Sequence, residues 1–583
     1  MIPFTRHDRE SRKTRGWLLC LPAAIVTGCT VTLHAEMRVS RFFSLLSPLL
    51  LVLAALARAE GYDGSLAASD PLEELRLRIQ SLEQEHAALR ARLGMPQRPA
   101  DPIVDPSDTA IAGTVRDSEP ATWEGQTLVS ALGPQSPSPP GGAETQGAVV
   151  GEDLTFQATW RNGLELSTRD KAFRVHVGGR WQFDTAWLSA ADAVQRNLPG
   201  GVTYHDGVDF RRARLRVDGT MYEVIEFAFE YDFVNSLRVR NSSGSGILDE
   251  AVPAVTDLWA QISHTPLGNI RIGSQKEAIG MEHIVSSRFL PFLERSFNQD
   301  TFYGGSFNGF TPGIALFNNM WDDRGSWNIG VYKPTNNVFG SSISDGDYAI
   351  TGRVTWLPVY EDSGRQLIHL GLSGRQATTY DDRIRFRTRD ALRSGLSVQW
   401  PVPADITVLG STMQWLNGEL ALVQGPWTVQ AEWLVSWTAN AREIGPGGIA
   451  IGPRVDGLLY HGGYIQVLYF LTGESDNFSL ERMAFDRVKP LENFFWVPGD
   501  GGSFLGTGAW QVGARYNLLD LNDQGINGGV LHNLTVGLNW FWNPNTKWQF
   551  NYIATYRDVR QTTQFADGSG WIHGWGMRLA QDF

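Results

Sequence analysis

Residues 570–583 read Gly570-Trp571-Ile572-His573-Gly574-Trp575-Gly576-Met577-Arg578-Leu579-Ala580-Gln581-Asp582-Phe583. Counted back from Phe583, one parity carries Leu579, Met577, Trp575 and Trp571, and the other carries Asp582, Arg578, Gly576 and Gly574. Successive side chains of a strand point to opposite faces. This strand therefore has an aromatic, oily face and a small or charged one. Three upstream segments repeat the pattern. In 510–518, Trp510, Val512, Ala514, Tyr516 and Leu518 oppose Gln511, Gly513, Arg515 and Asn517. In 534–542, Leu534, Val536, Leu538, Trp540 and Trp542 oppose Thr535, Gly537, Asn539 and Phe541. After Asn543-Pro544-Asn545, Trp548, Phe550, Tyr552, Ala554 and Tyr556 oppose Gln549, Asn551, Thr555 and Arg557. Aromatics at both ends of such segments mark strands with one face to lipid and one to a wet lumen. The fold class is all-β, a transmembrane antiparallel β-barrel. At roughly 27 residues per strand and connection, residues 151–583 supply about 16 strands.

The rest of the 583-residue chain reads as an export leader and an appendage. Two apolar stretches compete near the start. Residues 42–57 follow Met37, Arg38 and Arg41 and end in Ala57-Arg58-Ala59, the build of a secretory signal. We expect a leader over 1–59, with the signal over 37–59, translation beginning at Met37 and cleavage after Ala59. The rival is acylation of Cys29 in Val26-Thr27-Gly28-Cys29. Both cysteines, Cys20 and Cys29, lie in the leader, so the mature chain has no disulfide framework and no cysteine zinc site. Residues 1–59 hold eight Lys/Arg and three Asp/Glu, a net of +5, which takes the remainder from −12 to −17. That charge argues against nucleic acid as a partner.

Within a periplasmic segment 60–94, Leu72, Leu75, Ile79, Leu82, His86, Leu89 and Leu93 follow a heptad seam over 70–94, capped by Asp70 and stopped by Gly94 and Pro96. This predicts a short self-associating coiled-coil helix, the alternative being an amphipathic helix lying on its own domain. Residues 95–150, with Pro137-Ser138-Pro139-Pro140-Gly141-Gly142, are a Pro/Gly/Ser-rich linker.

Chemistry concentrates at two places. In Phe210-Arg211-Arg212-Ala213-Arg214-Leu215-Arg216-Val217, strand spacing puts Arg212, Arg214 and Arg216 on one face. The next strand offers Glu226, Glu230 and Asp232 opposite Ile225, Phe227, Phe229, Tyr231 and Phe233. Those charges form either a cross-strand ladder that braces the wall or a positive track for anions. The alternation then breaks over 277–312, which is too long for a hairpin turn and apolar enough to pack. We expect this segment to fold into the lumen as a constriction loop. Lys276, Arg288 and Arg295 would set its field, with Glu294 beside Arg295 to neutralise it. Arg515, Arg557 and Arg578 hold the lumen parity of their strands and complete the candidate pore-lining set. The sequence shows no H-E-x-x-H, G-x-S-x-G or P-loop, so no catalytic, metal or cofactor site is expected.

Several stretches together resemble the phosphate-selective porin O and P family of Gram-negative outer membranes. They are Val208 to Leu215, Gly273-Ser274-Gln275-Lys276-Glu277, Phe292-Leu293-Glu294-Arg295-Ser296, Gly513 to Leu521 and Gly537 to Asn543. The resemblance implies a sixteen-stranded trimeric porin in the outer membrane with an inward-folded loop, surrounded by outer-membrane lipid. It also implies passive passage of small anions such as phosphate or polyphosphate. Two other functions stay open on the residues alone: an envelope tether whose coiled coil binds a partner or peptidoglycan, and a secreted β-rich hydrolase.

Overall fold

The structure, a computed structural model, describes residues 154–583 except 199–202, 235, 241–246, 252–253, 304–308, 335–345, 347, 379–382, 394–400, 446–447, 500–501 and 560–567. The expected leader, coiled-coil helix and linker lie outside the described residues. Sixteen strands form the wall. The first eight are β1 (Phe173–Ala190), β2 (Gly207–Met221), β3 (Ile225–Asp232), β4 (Ala254–Thr265), β5 (Gly268–Lys276), β6 (Phe310–Met320), β7 (Gly325–Tyr332) and β8 (Ala349–Glu361). The second eight are β9 (Gln366–Thr378), β10 (Thr412–Gln424), β11 (Trp427–Ala439), β12 (Leu458–Phe470), β13 (Ala509–Asp523), β14 (Ile526–Asn543), β15 (Thr546–Asp558) and β16 (Gly570–Asp582).

Each strand pairs antiparallel with the next, and β16 pairs with β1 from Asp582↔Arg180 to Ile572↔Ala190. Closure leaves the wall no open sheet edge, which hydrocarbon demands. Phe583 finishes the seam, exchanging both backbone bonds with Gly179 at 2.7 and 2.9 Å. Below that point the same edge of β1 is taken by an N-terminal hairpin (Phe156–Trp160 and Leu164–Thr168), which pairs at Leu164↔Val177 through Ser167↔Arg174.

Burial is inverted relative to a soluble protein. On β16, Trp575 is 63% exposed while Arg578 is 0% exposed. On β14, Leu534 and Val536 face outward while Asn533 and Thr535 are covered. The outer belt carries Trp187, Phe229, Ile272, Trp356, Leu372 and Trp571 in exposed positions.

Two departures from strict alternation shape the interior. Gln182 pairs with Arg212 but Phe183 pairs with Phe210, so Arg211 is an extra residue in β2. Phe229 pairs with Leu258 but Tyr231 pairs with Val255, so β4 sets both Thr256 and Asp257 against Glu230. Such bulges re-aim side chains. Without the first, Arg211 would share the outward parity of Ala213 and Leu215; instead it reaches Glu294 inside the barrel at 2.6 Å.

Connections at one end are short: 222–224, 266–267, 321–324, 362–365, 425–426 and 544–545. That end also holds the C-terminus. One connection there is long, the 471–508 segment between β12 and β13. It turns inward, and its Phe478, Met483 and Ala484 pack against Met281, Val285 and Leu290 of the 277–309 connection.

The inverted wall gives a direct expectation. Val536→Arg should lower the unfolding free energy of the protein in lipid vesicles by about 2–4 kcal/mol, the cost of a cation on the lipid face. Val536→Ile should leave it within about 0.5 kcal/mol. Urea titrations followed by tryptophan fluorescence read both.

Candidate functional site

The lumen is not a free cylinder. The 277–309 connection leaves the wall after Lys276, returns at Phe310 and lies against β11 and β13–β16. Glu432 on β11 accepts from the amides of Met281 and Glu282 at 3.1 and 2.7 Å. On β13, Arg515 donates to Glu282 at 3.2 Å and to the Glu294 carbonyl at 2.9 Å. On β15, Asn551 accepts from the Leu293 amide at 2.8 Å, and Lys547 and Gln549 both donate to the Leu290 carbonyl at 2.8 and 3.0 Å. On β16, Arg578 forks onto Asp184 at 2.6 Å on both oxygens and donates to the Leu293 carbonyl at 2.6 Å.

Two more segments fill the same half. Residues 388–393 bring Arg389 onto Asp300, and Arg393 within 3.4 Å of Glu294. From the opposite end, the 471–508 segment sets Arg487 on Asp582 and the Pro544 carbonyl, and Arg353 donates to the Met483 carbonyl at 2.9 Å.

The remaining space is a cavity of about 900 Å³ lined by β1–β8, the N-terminal hairpin and the three inserts. No residue of β9–β16 is among its lining. Its wall carries sixteen Arg and Lys side chains against nine Asp and Glu, a positive surplus of seven in a chain of net charge −12.

Of the residues expected on the track, Arg212, Arg214, Arg216, Lys276, Arg288 and Arg295 line this cavity. Arg515, Arg557 and Arg578 do not. They are 1%, 1% and 0% exposed, shut behind the inserts. Arg557 is spent on carbonyls, donating to Pro403 at 2.6 Å and Gly568 at 2.8 Å. Parity assigned their face correctly but carries no information on what covers that face.

The lining cations divide into two groups. One is paired: Arg214 meets Asp232 at 2.7 Å and Glu230 at 2.8 Å, Arg180 meets Glu230 at 2.9 Å, and Arg216 meets Asp257 at 2.8 Å. This is the expected cross-strand ladder. The other group bonds neutral oxygens only, among the described residues. Arg212 donates to Gln182 at 2.7 Å, and Arg271 donates to Gln261 at 2.9 and 2.7 Å. Lys276 donates to the His283 carbonyl at 2.5 Å, and Arg295 to the carbonyls of Glu282 and Val285 at 2.9 and 2.6 Å. Arg271 is held by rings, 4.0 Å from the centre of Trp259 and 5.0 Å from that of Phe317.

Glu294 does not neutralise Arg295 as expected; it turns to Arg211, Arg393 and Arg578 instead. Burial pushes its carboxyl up, but Arg211, Arg393 and Arg212 outweigh that and hold it well below the usual range. Burial pushes Arg295 down to about 10, so it stays charged at neutral pH.

Within the loop, Ser286 accepts from Arg180 at 3.1 Å, and the Ser287 carbonyl accepts from Gln182 at 3.1 Å. The Ser287 hydroxyl is buried with no hydrogen-bond partner among the described residues. The sequence reading did not include Arg161, Arg174, Arg180, Arg211, Arg271, Arg353, Arg393, Arg482, Arg487 and Lys489 on this wall. The clearest available signal was Arg211, a cation on the lipid parity that only a bulge can rescue.

Residues 175–580 match the family described as phosphate-selective porin O and P. The chain belongs to that family. It is an outer-membrane β-barrel porin of the Gram-negative type, and its family and fold are those of channel proteins. Porin O of Pseudomonas aeruginosa is 26% identical over 463 residues, covering 72% of this chain and 92% of that protein. An uncharacterized protein of Caulobacter vibrioides is 23% identical over 525 residues, covering 87% and 90%. Among solved structures, the anion-selective porin from Comamonas acidovorans aligns over 70% of this porin and 100% of itself, at 11% identity and a TM-score of 0.39.

Asp476 makes the docking of the 471–508 insert depend on pH. Burial raises its carboxyl to about 6. It accepts from Gln511 at 3.3 and 3.4 Å. The folded porin thus holds a proton there that the unfolded chain releases near pH 3.8. Stability falls as pH rises between those values and stays lower above pH 6. A shift of about two units corresponds to about 3 kcal/mol. Asp476→Asn should raise the melting temperature at pH 7.5, and the gain should vanish near pH 4. Thermal scans at the two pH values check both signs.

Proposed function

We propose that this porin is a passive, anion-biased channel whose preferred solutes are small oxyanions of the phosphate and polyphosphate type, and that it works as a homotrimer. The observation that carries the reading is the positive surplus of seven on the cavity wall of a chain that is acidic as a whole. Charge on the lumen wall sets the barrier for an ion, while charge elsewhere is screened.

The division of the cations supports a track rather than a brace alone. Arg212, Arg271, Lys276 and Arg295 have no carboxylate partner among the described residues, and each is fixed by neutral oxygens. A fixed guanidinium offers a planar pair of donors that suits phosphate. A solute moving past them exchanges one set of donors for the next, with Ser286 of the loop bonded to Arg180 beside them. Passage needs sites that are favourable to enter and weak enough to leave, and several moderately spaced cations meet that better than one deep trap. The heptad seam over 70–94 supports the trimer, since a short coiled coil is stable only in association.

Replacing Arg212 and Arg295 together by Gln should lower the anion-to-cation permeability ratio about tenfold, a barrier change of about 1.4 kcal/mol. Reversal potentials across planar bilayers under a salt gradient measure it. Phosphate added to chloride should block the wild-type current in a saturable way and block the double variant less. Unchanged reversal potential would remove both residues from the conduction path.

A further inference from the structure

A second, much smaller space opens where four parts of the chain meet: β1, the 277–309 loop, the 471–508 insert, and the β14–β15 turn with the end of β16. It measures about 30 Å³. Its charged lining is Arg180, Arg288, Arg487, Lys547 and Asp582.

The partners of these five are known. Asp582 is shared by Arg487, which forks onto it, and by Arg288 at 3.5 Å. Arg180 forks onto Glu230 outside the recess at 2.9 and 3.1 Å. Lys547 donates to a carbonyl, that of Leu290, at 2.8 Å, and lies 5.5 Å from the Phe541 ring. With Glu230 counted, four cations face two carboxylates. Two of the guanidiniums also carry an idle donor: the Nε atoms of Arg180 and Arg288 are buried with no acceptor among the described residues. Phe289 and Phe541 also line it. Buried positive charge in excess, next to unused N–H groups and among aromatic walls, is costly unless an anion or ordered water completes it.

We infer that this recess is a built site for one small monovalent anion of halide size. The volume admits one such ion or about two waters. Arg180, Arg288, Phe289 and Arg487 line both this recess and the large cavity, so the two are neighbours, and competition with phosphate separates a halide site from the path of the conducted solutes. Occupancy would tie the constriction loop, the insert and the C-terminal strand to one charge, fixing two inserts that enter from opposite ends.

Bromide tests it on the purified full-length protein. Diffraction from crystals grown with bromide in place of chloride should show an anomalous peak in the recess. That peak should persist with saturating inorganic phosphate. The melting temperature at fixed ionic strength should be several degrees higher in chloride than in gluconate, and Lys547→Met should abolish the difference. A recess that holds only water in bromide, a peak that phosphate displaces, or equal melting temperatures in the two salts would each overturn the inference. The bromide peak in the unaltered protein decides the matter if the Lys547→Met protein does not fold.

Discussion

Buried guanidiniums on β13 and β16 hold the constriction loop against one side of the barrel, and the position of the passage follows from that attachment. Arg515 and Arg578 each bond a carbonyl and a carboxylate of the loop, at Glu282, Leu293 and Glu294. Removing one partner of a buried pair costs about 3–5 kcal/mol, because it leaves a charge without water. The loop is therefore fastened by contacts that are expensive to break singly. With the β9–β16 side filled, the open path is left to β1–β8, the side that carries the arginine row.

The same rule explains why charges are so dense inside and yet fall into two kinds. A ladder such as Arg180–Glu230–Arg214–Asp232 needs each member to satisfy the next, and it stiffens a wall that would otherwise be thinly braced. A cation that lines water can instead be fixed by neutral oxygens and keep its field. Gln182, Gln261 and the carbonyls around Val285 play that part for Arg212, Arg271 and Arg295. One set braces the wall, and the other has no carboxylate partner among the described residues. The bulge at Arg211 joins the two, since it carries a cation from the wall onto Glu294 of the loop.

Much of this was legible in the sequence, for a definite reason. Period-two patterning is enforced by lipid on one side, so the last wall strands, the final one ending on Phe583, and the shared face of Arg212, Arg214 and Arg216 could be read from parity. The constriction loop was legible because an apolar segment too long for a turn must pack somewhere. Parity is silent on depth, which is why Arg515, Arg557 and Arg578 could not be told from pore-lining residues. It is also broken by a single inserted residue, as at Arg211 and Asp257. The 471–508 insert was missed because it leaves from the end where the other connections between wall strands are only two to four residues long.

Net charge is the remaining tension, since the chain as a whole is acidic while its cavity wall is positive. Two lengths resolve it. Exposed charges lose their influence beyond about 8–10 Å at physiological salt, so carboxylates at the barrel ends act on ions in bulk water and hardly on one inside. Charges on a narrow wall act at contact distance and against low-dielectric surroundings, where each counts for more. Arg212, Arg271, Lys276 and Arg295, which bond neutral oxygens only among the described residues, lie on such a wall. The global excess of carboxylate can keep the protein soluble during export and assembly without setting which ion passes.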